Sequence, residues 1–182
     1  MIVEEKTLSS ERLYEGRIIN LRKDLVTVKD GGTSYREIVE HNGGVVIAAI
    51  TADGRMPMVQ QYRKAAEQAV LEAPAGKLEK GEDPMEAALR ELKEETGFTA
   101  GKIRHLTSAY SSIGYSTEVL HLYLATELTA GETDFDDNEA IDVKLFPLTE
   151  LYQMALAGEI HDLKSVSVIV MAHELTQRQA AE

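Results

Sequence analysis

The chain has 182 residues, 43% of them hydrophobic, which suits one globular domain with a packed core and argues against intrinsic disorder. It contains no cysteine, which excludes disulfide bonds, zinc-thiolate sites and thiol nucleophiles. The formal net charge is −12, and a negative surface repels nucleic-acid phosphates, so no nucleic-acid partner is expected.

The N-terminal stretch MIVEEKTLSSERLYEG is acidic and polar. It lacks the basic segment and the apolar run of a secretory signal peptide. No apolar run in the chain approaches the roughly 20 residues that a bilayer-spanning helix needs. These observations predict a soluble, cytoplasmic protein without a membrane partner.

Strand patterns dominate most of the chain. Residues 25–28 and 36–40 alternate around an Asp30-Gly31-Gly32 turn, which predicts a hairpin. Residues 45–50 form a fully apolar run, and residues 56–62 are typical of its partner strand. Further strands are predicted at 69–72, 119–126 and 140–146, and helices at 149–157, with Thr149 as its cap and Gly158 closing it, and at 162–175. This order predicts an α+β fold with a mixed sheet.

A well-delimited helix is predicted after Asp83. Asp83 is a good N-cap, Pro84 occupies the first helical position, and Gly97 has the place of the residue that ends a helix. Four apolar side chains spaced for one face predict its buried stripe: Met85, Ala88, Leu89 and Leu92.

Three carboxylates, those of Glu91, Glu94 and Glu95, share one flank of this helix. Like charges at this spacing repel, and anions are disfavoured in the C-terminal half of a helix. A hard divalent cation such as Mg²⁺ would reverse that balance, because it prefers oxygen ligands. The alternative is a solvated acidic face supported by nearby basic residues. Glu82 is placed to reach back to Arg90 and hold the preceding loop against the helix.

The segment from Gly76 to Phe98 resembles the Nudix box. That motif is a glycine, five residues, a glutamate, seven residues and then Arg-Glu-apolar-x-Glu-Glu-x-Gly-apolar. The matching residues of this chain are Gly76, Glu82, Arg90, Glu91, Leu92, Glu94, Glu95, Gly97 and Phe98. Every fixed position matches at the right spacing, so the motif is specific.

The resemblance implies a Nudix α/β/α sandwich with a mixed sheet and a divalent-metal hydrolase. Glu91 and Glu95 would be the main metal ligands and would take part in catalysis, with Glu94 and the carbonyl of Ala75 contributing. Gly76, Glu82, Arg90 and Gly97 would have structural roles in the motif. The metal would be Mg²⁺ or Mn²⁺, and water would attack one phosphorus of a diphosphate.

Segments outside the box are similar to the ADP-ribose pyrophosphatase subgroup. They are Gln60–Arg63, Leu71–Lys77, Gly114–Glu118, Asp137–Glu139 and Gly158–Lys164. The likeness implies an N-terminal antiparallel β sub-domain over residues 1–40, exchanged between the subunits of a homodimer, and a hydrolase domain over residues 41–182. One departure is Ile113, which stands where the subgroup has a proline sixteen residues after Gly97.

Further site residues follow from the same resemblance. Glu139 would be the general base or an added metal ligand, with Glu118 as the second candidate for the base. Arg63 resembles a position that contacts the diphosphate, Arg36 is a weaker candidate, and Glu72 would help to bind the base or the terminal ribose. Each also has an interpretation without a functional role, as a member of an ion pair or as an acidic loop residue.

The sequence therefore predicts Mg²⁺-dependent hydrolysis of ADP-ribose, or a related ADP-sugar, to AMP and ribose 5-phosphate, as expected of an ADP-ribose diphosphatase. One alternative is a pyrophosphatase for another nucleotide sugar or a dinucleotide, which the departure at Ile113 favours. Another is a module that senses ADP-ribose without cleaving it. A complete set of motif glutamates argues against that last alternative.

Overall fold

The computed structural model describes residues 2–133 and 141–181, with side chains up to residue 178, and the chain divides into two compact units. The first unit comprises Met1–Gly43 and Ala109–Val119. It holds a three-stranded antiparallel sheet in the order β1-β2-β3. Its strands are β1 (Thr7–Glu15), β2 (Asn20–Thr27) and β3 (Thr33–Glu40).

The predicted hairpin of this unit is confirmed. Strands β2 and β3 pair from Asn20 opposite Glu40 to Thr27 opposite Thr33. The turn between them passes through Asp30, whose φ of 65° lies in the left-handed region that aspartate tolerates better than most residues. An antiparallel β sub-domain is thus present, and the segment 109–119 belongs to the same compact unit.

The second unit contains two sheets and three helices. A four-stranded mixed sheet has the order β7-β4-β9-β8, and a three-stranded antiparallel sheet has the order β10-β5-β6. The strands are β4 (Gly44–Ala49), β5 (Arg55–Arg63), β6 (Gln68–Glu72), β7 (Ala75–Lys77), β8 (Phe98–Tyr110), β9 (Val119–Ala130) and β10 (Asp142–Pro147). The helices are α1 (Pro84–Thr96), α2 (Leu148–Ala157) and α3 (Leu163–Ala181).

Strand β4 forms the centre of this unit and is buried along its whole length. It runs parallel to β9 and antiparallel to β7. Because side chains alternate across a strand, Val45 and Ile47 pack with Leu92 of α1 on one face. Val46 packs on the other face in a core shared with α2 and α3, which includes Leu151 and Ile169. The second unit is therefore an α/β/α sandwich with a mixed sheet, as expected.

The predicted pairing of residues 45–50 with residues 56–62 is wrong. Strands β4 and β5 form as predicted but lie in different sheets. An apolar run buried on both faces needs a neighbour on each side, and β7 and β9 supply them. Two strands were not predicted from the sequence, Ala75–Lys77 and Phe98–Tyr110.

Two helix details also differ from the sequence interpretation. In α1 the buried side chains include Ala87, Ala88 and Leu92, whereas Met85 and Leu89 are 42% and 37% exposed. Small alanines let a helix approach a sheet closely, so Ala87 and Ala88 lie on the buried face while Met85 and Leu89 stay partly exposed beside it. Thr149 does not cap α2, which begins after Pro147 without a side-chain cap.

The end of helix α2 was predicted correctly, whereas that of α3 was not. Gly158 closes α2 with a φ of 76°, as predicted. Helix α3 continues to Ala181, past the predicted end at residue 175. Among the described residues, no helix is both long enough and apolar enough to cross a membrane.

Candidate active site

Both ends of helix α1 are fixed by local hydrogen bonds. Oδ1 of Asp83 accepts from the backbone N–H groups of Met85, at 2.9 Å, and Glu86, at 3.2 Å. At the other end Gly97 has a left-handed φ of 73°, and its N–H donates to the carbonyl of Lys93 at 2.8 Å. The predicted cap and stop are confirmed, and they set where the carboxylates of the helix fall.

Arg90 binds three carboxylates at once. Its Nε and Nη2 donate to the two oxygens of Glu82 at 3.0 and 3.2 Å. Its Nη1 donates to Oε1 of Glu91 and to Oε2 of Glu94, both at 2.9 Å. The planar guanidinium is suited to such forked pairing. Glu82 therefore reaches back to the helix as predicted, and Arg90 offsets the repulsion between Glu91 and Glu94.

The same contacts shift the ionisation of the partners. The hydrogen bond with Glu82, helped by Glu91 and Glu94, raises the pKa of Arg90 although desolvation opposes it. The hydrogen bond from Arg90 lowers the pKa of Glu82, and a backbone bond from the N–H of Glu79 adds to this effect. Both groups are consequently charged at neutral pH.

The loop before the helix is held against the box carboxylates. The N–H of Ala75 donates to Oε2 of Glu95 at 3.0 Å, and Glu95 is only 6% exposed. A Cβ built at Gly76 would lie 1.8 Å from Cδ of Glu91 and 1.9 Å from its Oε1. Only glycine leaves room for the Glu91 carboxylate at this place.

The donor chemistry of this region fits a hard divalent cation. Glu91, Glu94 and Glu95 supply carboxylate oxygens, which Mg²⁺ and Mn²⁺ prefer, and a carboxylate can accept from arginine while other lone pairs remain for further ligands. Within the part of the chain that the structure describes, no three His, Asp or Glu side chains are arranged as a ready metal cluster. The predicted set of Glu91, Glu94, Glu95 and the Ala75 carbonyl therefore stays a prediction.

Arg63 and Glu72, both predicted to contact substrate, bind each other. Nε and Nη2 of Arg63 donate to the two Glu72 oxygens at 2.6 and 2.8 Å. Lys164 donates to the same carboxylate at 2.5 Å. Burial alone would raise the pKa of Glu72, but the bonds from Arg63 and Lys164 outweigh it and lower that pKa. Glu72 raises the pKa of Arg63 in turn, with a smaller contribution from Glu95.

Two of the remaining predicted site residues, Arg36 and Glu118, belong to the first unit. In the first unit Arg36 pairs with Glu5, with 2.5 Å between Nη2 and Oε1, and Glu118 lies 3.2 Å from Nδ1 of His41. Ile113, also in that unit, is 77% exposed. Glu139 lies outside the described residues. Sequence reasoning missed the role of Lys164 beside Glu72; its place in the subgroup-like segment Gly158–Lys164 was the available signal.

Comparison with known proteins agrees with this fold. The NUDIX domain model matches residues 40–167, and the model of a nucleoside diphosphate sugar hydrolase N-terminal domain matches residues 5–39. The chain therefore belongs to the Nudix family and is a hydrolase. Members of this family generally use divalent metal ions.

Similar proteins cover nearly the whole chain. An ADP-ribose pyrophosphatase of Bacillus subtilis is 41% identical over 92% of this chain and 91% of its own length. A GDP-mannose pyrophosphatase of Yersinia enterocolitica is 31% identical over 94% of this chain and 96% of its own length. A crystal structure of an ADP compounds hydrolase has a TM-score of 0.86 at 22% identity, with 98% and 97% of the two chains covered, and shows the shared fold.

Proposed function

We propose that this protein hydrolyses the diphosphate linkage of ADP-ribose, or of a related ADP-sugar, in a Mg²⁺-dependent reaction. The products would be AMP and ribose 5-phosphate. The observation that carries the proposal is the row of carboxylates on α1, organised by Arg90 and approached by the Gly76 backbone. The similarity to an ADP-ribose pyrophosphatase over nearly the whole chain supports the choice of substrate.

Glu91, Glu95, Glu94 and the carbonyl of Ala75 would hold the metal, Mg²⁺ or else Mn²⁺. When bound, the metal would lower the pKa of a nearby water and neutralise charge on the phosphates. Glu82 and Arg90 would keep the loop and the helix in register around it. Ala75 contributes to this alignment through its N–H, which ties the loop to the buried Glu95.

In the proposed reaction a water oxygen bonds to one phosphorus while the bond from that phosphorus to the bridging oxygen breaks. The proton of the water passes to a carboxylate, for which Glu139 is the first candidate and Glu118 the second. Arg63 would contact the diphosphate, because its side chain is 44% exposed while Glu72 fixes its orientation. Arg36 would have to exchange its partner Glu5 for a phosphate oxygen.

A substrate panel tests this proposal. The purified protein is incubated with ADP-ribose, ADP-glucose, GDP-mannose and a dinucleoside diphosphate, each with and without Mg²⁺, and the products are resolved by chromatography. We expect AMP and ribose 5-phosphate from ADP-ribose only when Mg²⁺ is present. A much faster reaction with GDP-mannose or the dinucleotide would overturn the choice of ADP-ribose.

A single charge removal tests the assigned metal role. Glu91→Gln keeps the size of the side chain but removes one negative charge, so turnover should fall at least about a hundredfold while the fold remains. The matched control is Glu86→Gln, which removes an exposed glutamate from the first turn of the same helix and should leave turnover unchanged. Full activity of Glu91→Gln would contradict the proposed site.

Two other functions remain to be compared with this one. A pyrophosphatase for another nucleotide sugar is favoured by Ile113 and by the similarity to a GDP-mannose pyrophosphatase. A sensing module would bind ADP-ribose tightly and release no AMP in the presence of Mg²⁺. The homodimer with exchanged N-terminal sheets and the cytoplasmic location also stay predictions.

A further inference from the structure

The first turn of α3 is bonded to the side chain of Glu72. Nζ of Lys164 donates to Oε2 of Glu72 at 2.5 Å and to Oδ2 of Asp162 at 2.9 Å. The Lys164 side chain is 16% exposed and that of Glu72 only 3%. The contact with Glu72 joins residues 92 positions apart in the chain, so it fixes β6 relative to α3.

A second contact ties the same turn to the backbone that follows Glu72. Ser165 is fully buried, and its Oγ accepts from the N–H of Ala73 at 2.7 Å and donates to Asp162. Two residues further on, the N–H of Ala75 donates to Glu95. The segment 72–75 is thus held by α3 at its start and by the box helix at its end.

The geometry leaves part of Arg63 available. Nε and Nη2 of Arg63 are committed to Glu72, and Nη1 makes no hydrogen bond to the residues that the structure describes. The side chain is nevertheless 44% exposed. One cation already balances the charge of a buried carboxylate, and Lys164 adds a further hydrogen bond to Oε2 of Glu72, which restricts rotation of that carboxylate. With Lys164 as the second cation, Glu72 can hold the guanidinium in one plane.

We propose that Lys164 is a positioning residue for substrate binding: by completing the ion-pair cluster of Glu72, it holds the Arg63 fork in the orientation that accepts the diphosphate. This inference rests on the proposed function for the role of Arg63, and it adds a residue to that site. Lys164 itself touches no reacting atom. Its effect passes through Glu72 to Arg63, while Ser165 keeps the adjoining backbone in place.

The rigidity of the Arg63 guanidinium can be measured without substrate. In ¹⁵N-labelled protein, the Nε–H signal of Arg63 is identified by its loss in Arg63→Lys. We expect the Nε proton to exchange slowly with water and the signal to show the heteronuclear NOE of a rigid group. Lys164→Met should bring both properties to those of an exposed arginine. If Lys164→Met does not fold, Lys164→Gln takes its place, because it keeps a donor and disturbs packing less. We expect the same change in the Arg63 signal, since the positive charge is lost.

The matched control is Lys144→Met. Lys144 is 51% exposed and pairs with Asp142 in the same unit, so its loss removes an ion pair without touching the cluster. The Arg63 resonance should keep its protection and its NOE in this variant. An Arg63 signal that stays rigid in both Lys164 variants would overturn the proposal, whatever the substrate proves to be.

Kinetics separate positioning from a structural role. A hydrogen bond to a charged group is worth roughly a tenfold change, so Lys164→Met should raise KM for ADP-ribose about tenfold while kcat changes less than about twofold. Lys144→Met should change neither constant.

Unchanged KM in a folded Lys164→Met protein that hydrolyses ADP-ribose would refute positioning and leave the proposed function intact. Failure of the wild type to cleave any compound of the panel would refute the proposed function, and the resonance of Arg63 would still decide the role of Lys164.

Discussion

Arg90 shows how one residue makes an unfavourable arrangement of charges possible. Glu91 and Glu94 lie on one flank of a helix near its negative end, where each would destabilise the other. The guanidinium donates to both and also to Glu82, so one positive charge shared by three carboxylates offsets part of their repulsion without separating them. A lysine ammonium could not reproduce this flat, branched pattern of donors.

Gly76 is the residue at which the loop backbone comes nearest to a box carboxylate. Gly76→Ala would place a methyl group 1.8 Å from Cδ of Glu91. The obstacle is the end of a flexible side chain, so the carboxylate should move while the fold survives. We expect kcat to fall at least about tenfold with a stability loss below about 1 kcal/mol.

Steady-state kinetics and urea unfolding of the same preparation measure the two effects of this substitution. Gly32→Ala is the control, because its new Cβ would meet Val28 Cγ2 at 3.3 Å and the Lys29 carbonyl at 3.8 Å, both within the turn between β2 and β3. It should leave kcat unchanged. Wild-type turnover in Gly76→Ala would show that the position of Glu91 does not limit the reaction.

Residue-level prediction from sequence succeeded where the cause is local. Asp83, Pro84 and Gly97 act within a few positions of one another, and their roles could be read from spacing alone. Glu82 and Arg90 are eight positions apart in the chain, and their pairing was also predicted. The bond between Glu72 and Lys164 joins positions that only the tertiary fold brings together.

At the scale of secondary structure, the ends of α1 determine which carboxylates face the loop. The helix begins where Asp83 accepts two N–H groups and ends where Gly97 turns left-handed. A start shifted by one residue would rotate every side chain by about 100° and take Glu91 away from Gly76. The caps therefore matter for function as well as for stability.

Comparison of two candidate caps tests this interpretation of the helices. Asp83→Ala removes a side chain that accepts two backbone hydrogen bonds and should lower the free energy of unfolding by about 1 kcal/mol. Thr149→Ala should change it by less than about 0.5 kcal/mol, because α2 begins without a side-chain cap. Urea unfolding followed by circular dichroism measures both, and equal losses would contradict the assignment.

Strands were predictable where burial produces a pattern. Strand β4 is buried throughout and its run of apolar residues marked it, but nothing local identifies β7 and β9 as its neighbours. Strand β8 carries intermediate and exposed residues without regular alternation, so it left no signal in the sequence. Element type could thus be inferred from the chain, whereas the order of strands required the structure.

For the whole molecule, a net charge of −12 means that folding gathers many anions, and the structure pairs several of them with arginine or lysine. The hydrogen bond from Arg12 lowers the pKa of Glu40, and that from Arg90 lowers the pKa of Glu82. At Glu72 the two cations outweigh burial, with the same direction. Stability should therefore depend on these carboxylates staying ionised.

The direction of this dependence follows from linkage. A carboxylate whose pKa is lower in the folded state than its ordinary value near 4.5 stabilises the fold fully above that value. The contribution is lost as pH falls from there through the folded pKa, since protonation then favours the unfolded chain. We expect the free energy of unfolding to decline steadily below about pH 4.5, as measured by urea titrations at several pH values.

Glu82→Gln tests the origin of that decline. The variant should be less stable than the wild type at neutral pH, because Arg90 loses a charged partner, and it should lose less on acidification, because one of the depressed carboxylates is gone. Thr149→Ala removes no ionisable group and should follow the wild-type slope. If Glu82→Gln kept the full wild-type slope, acid sensitivity would have to come from carboxylates other than the one that Arg90 holds most directly.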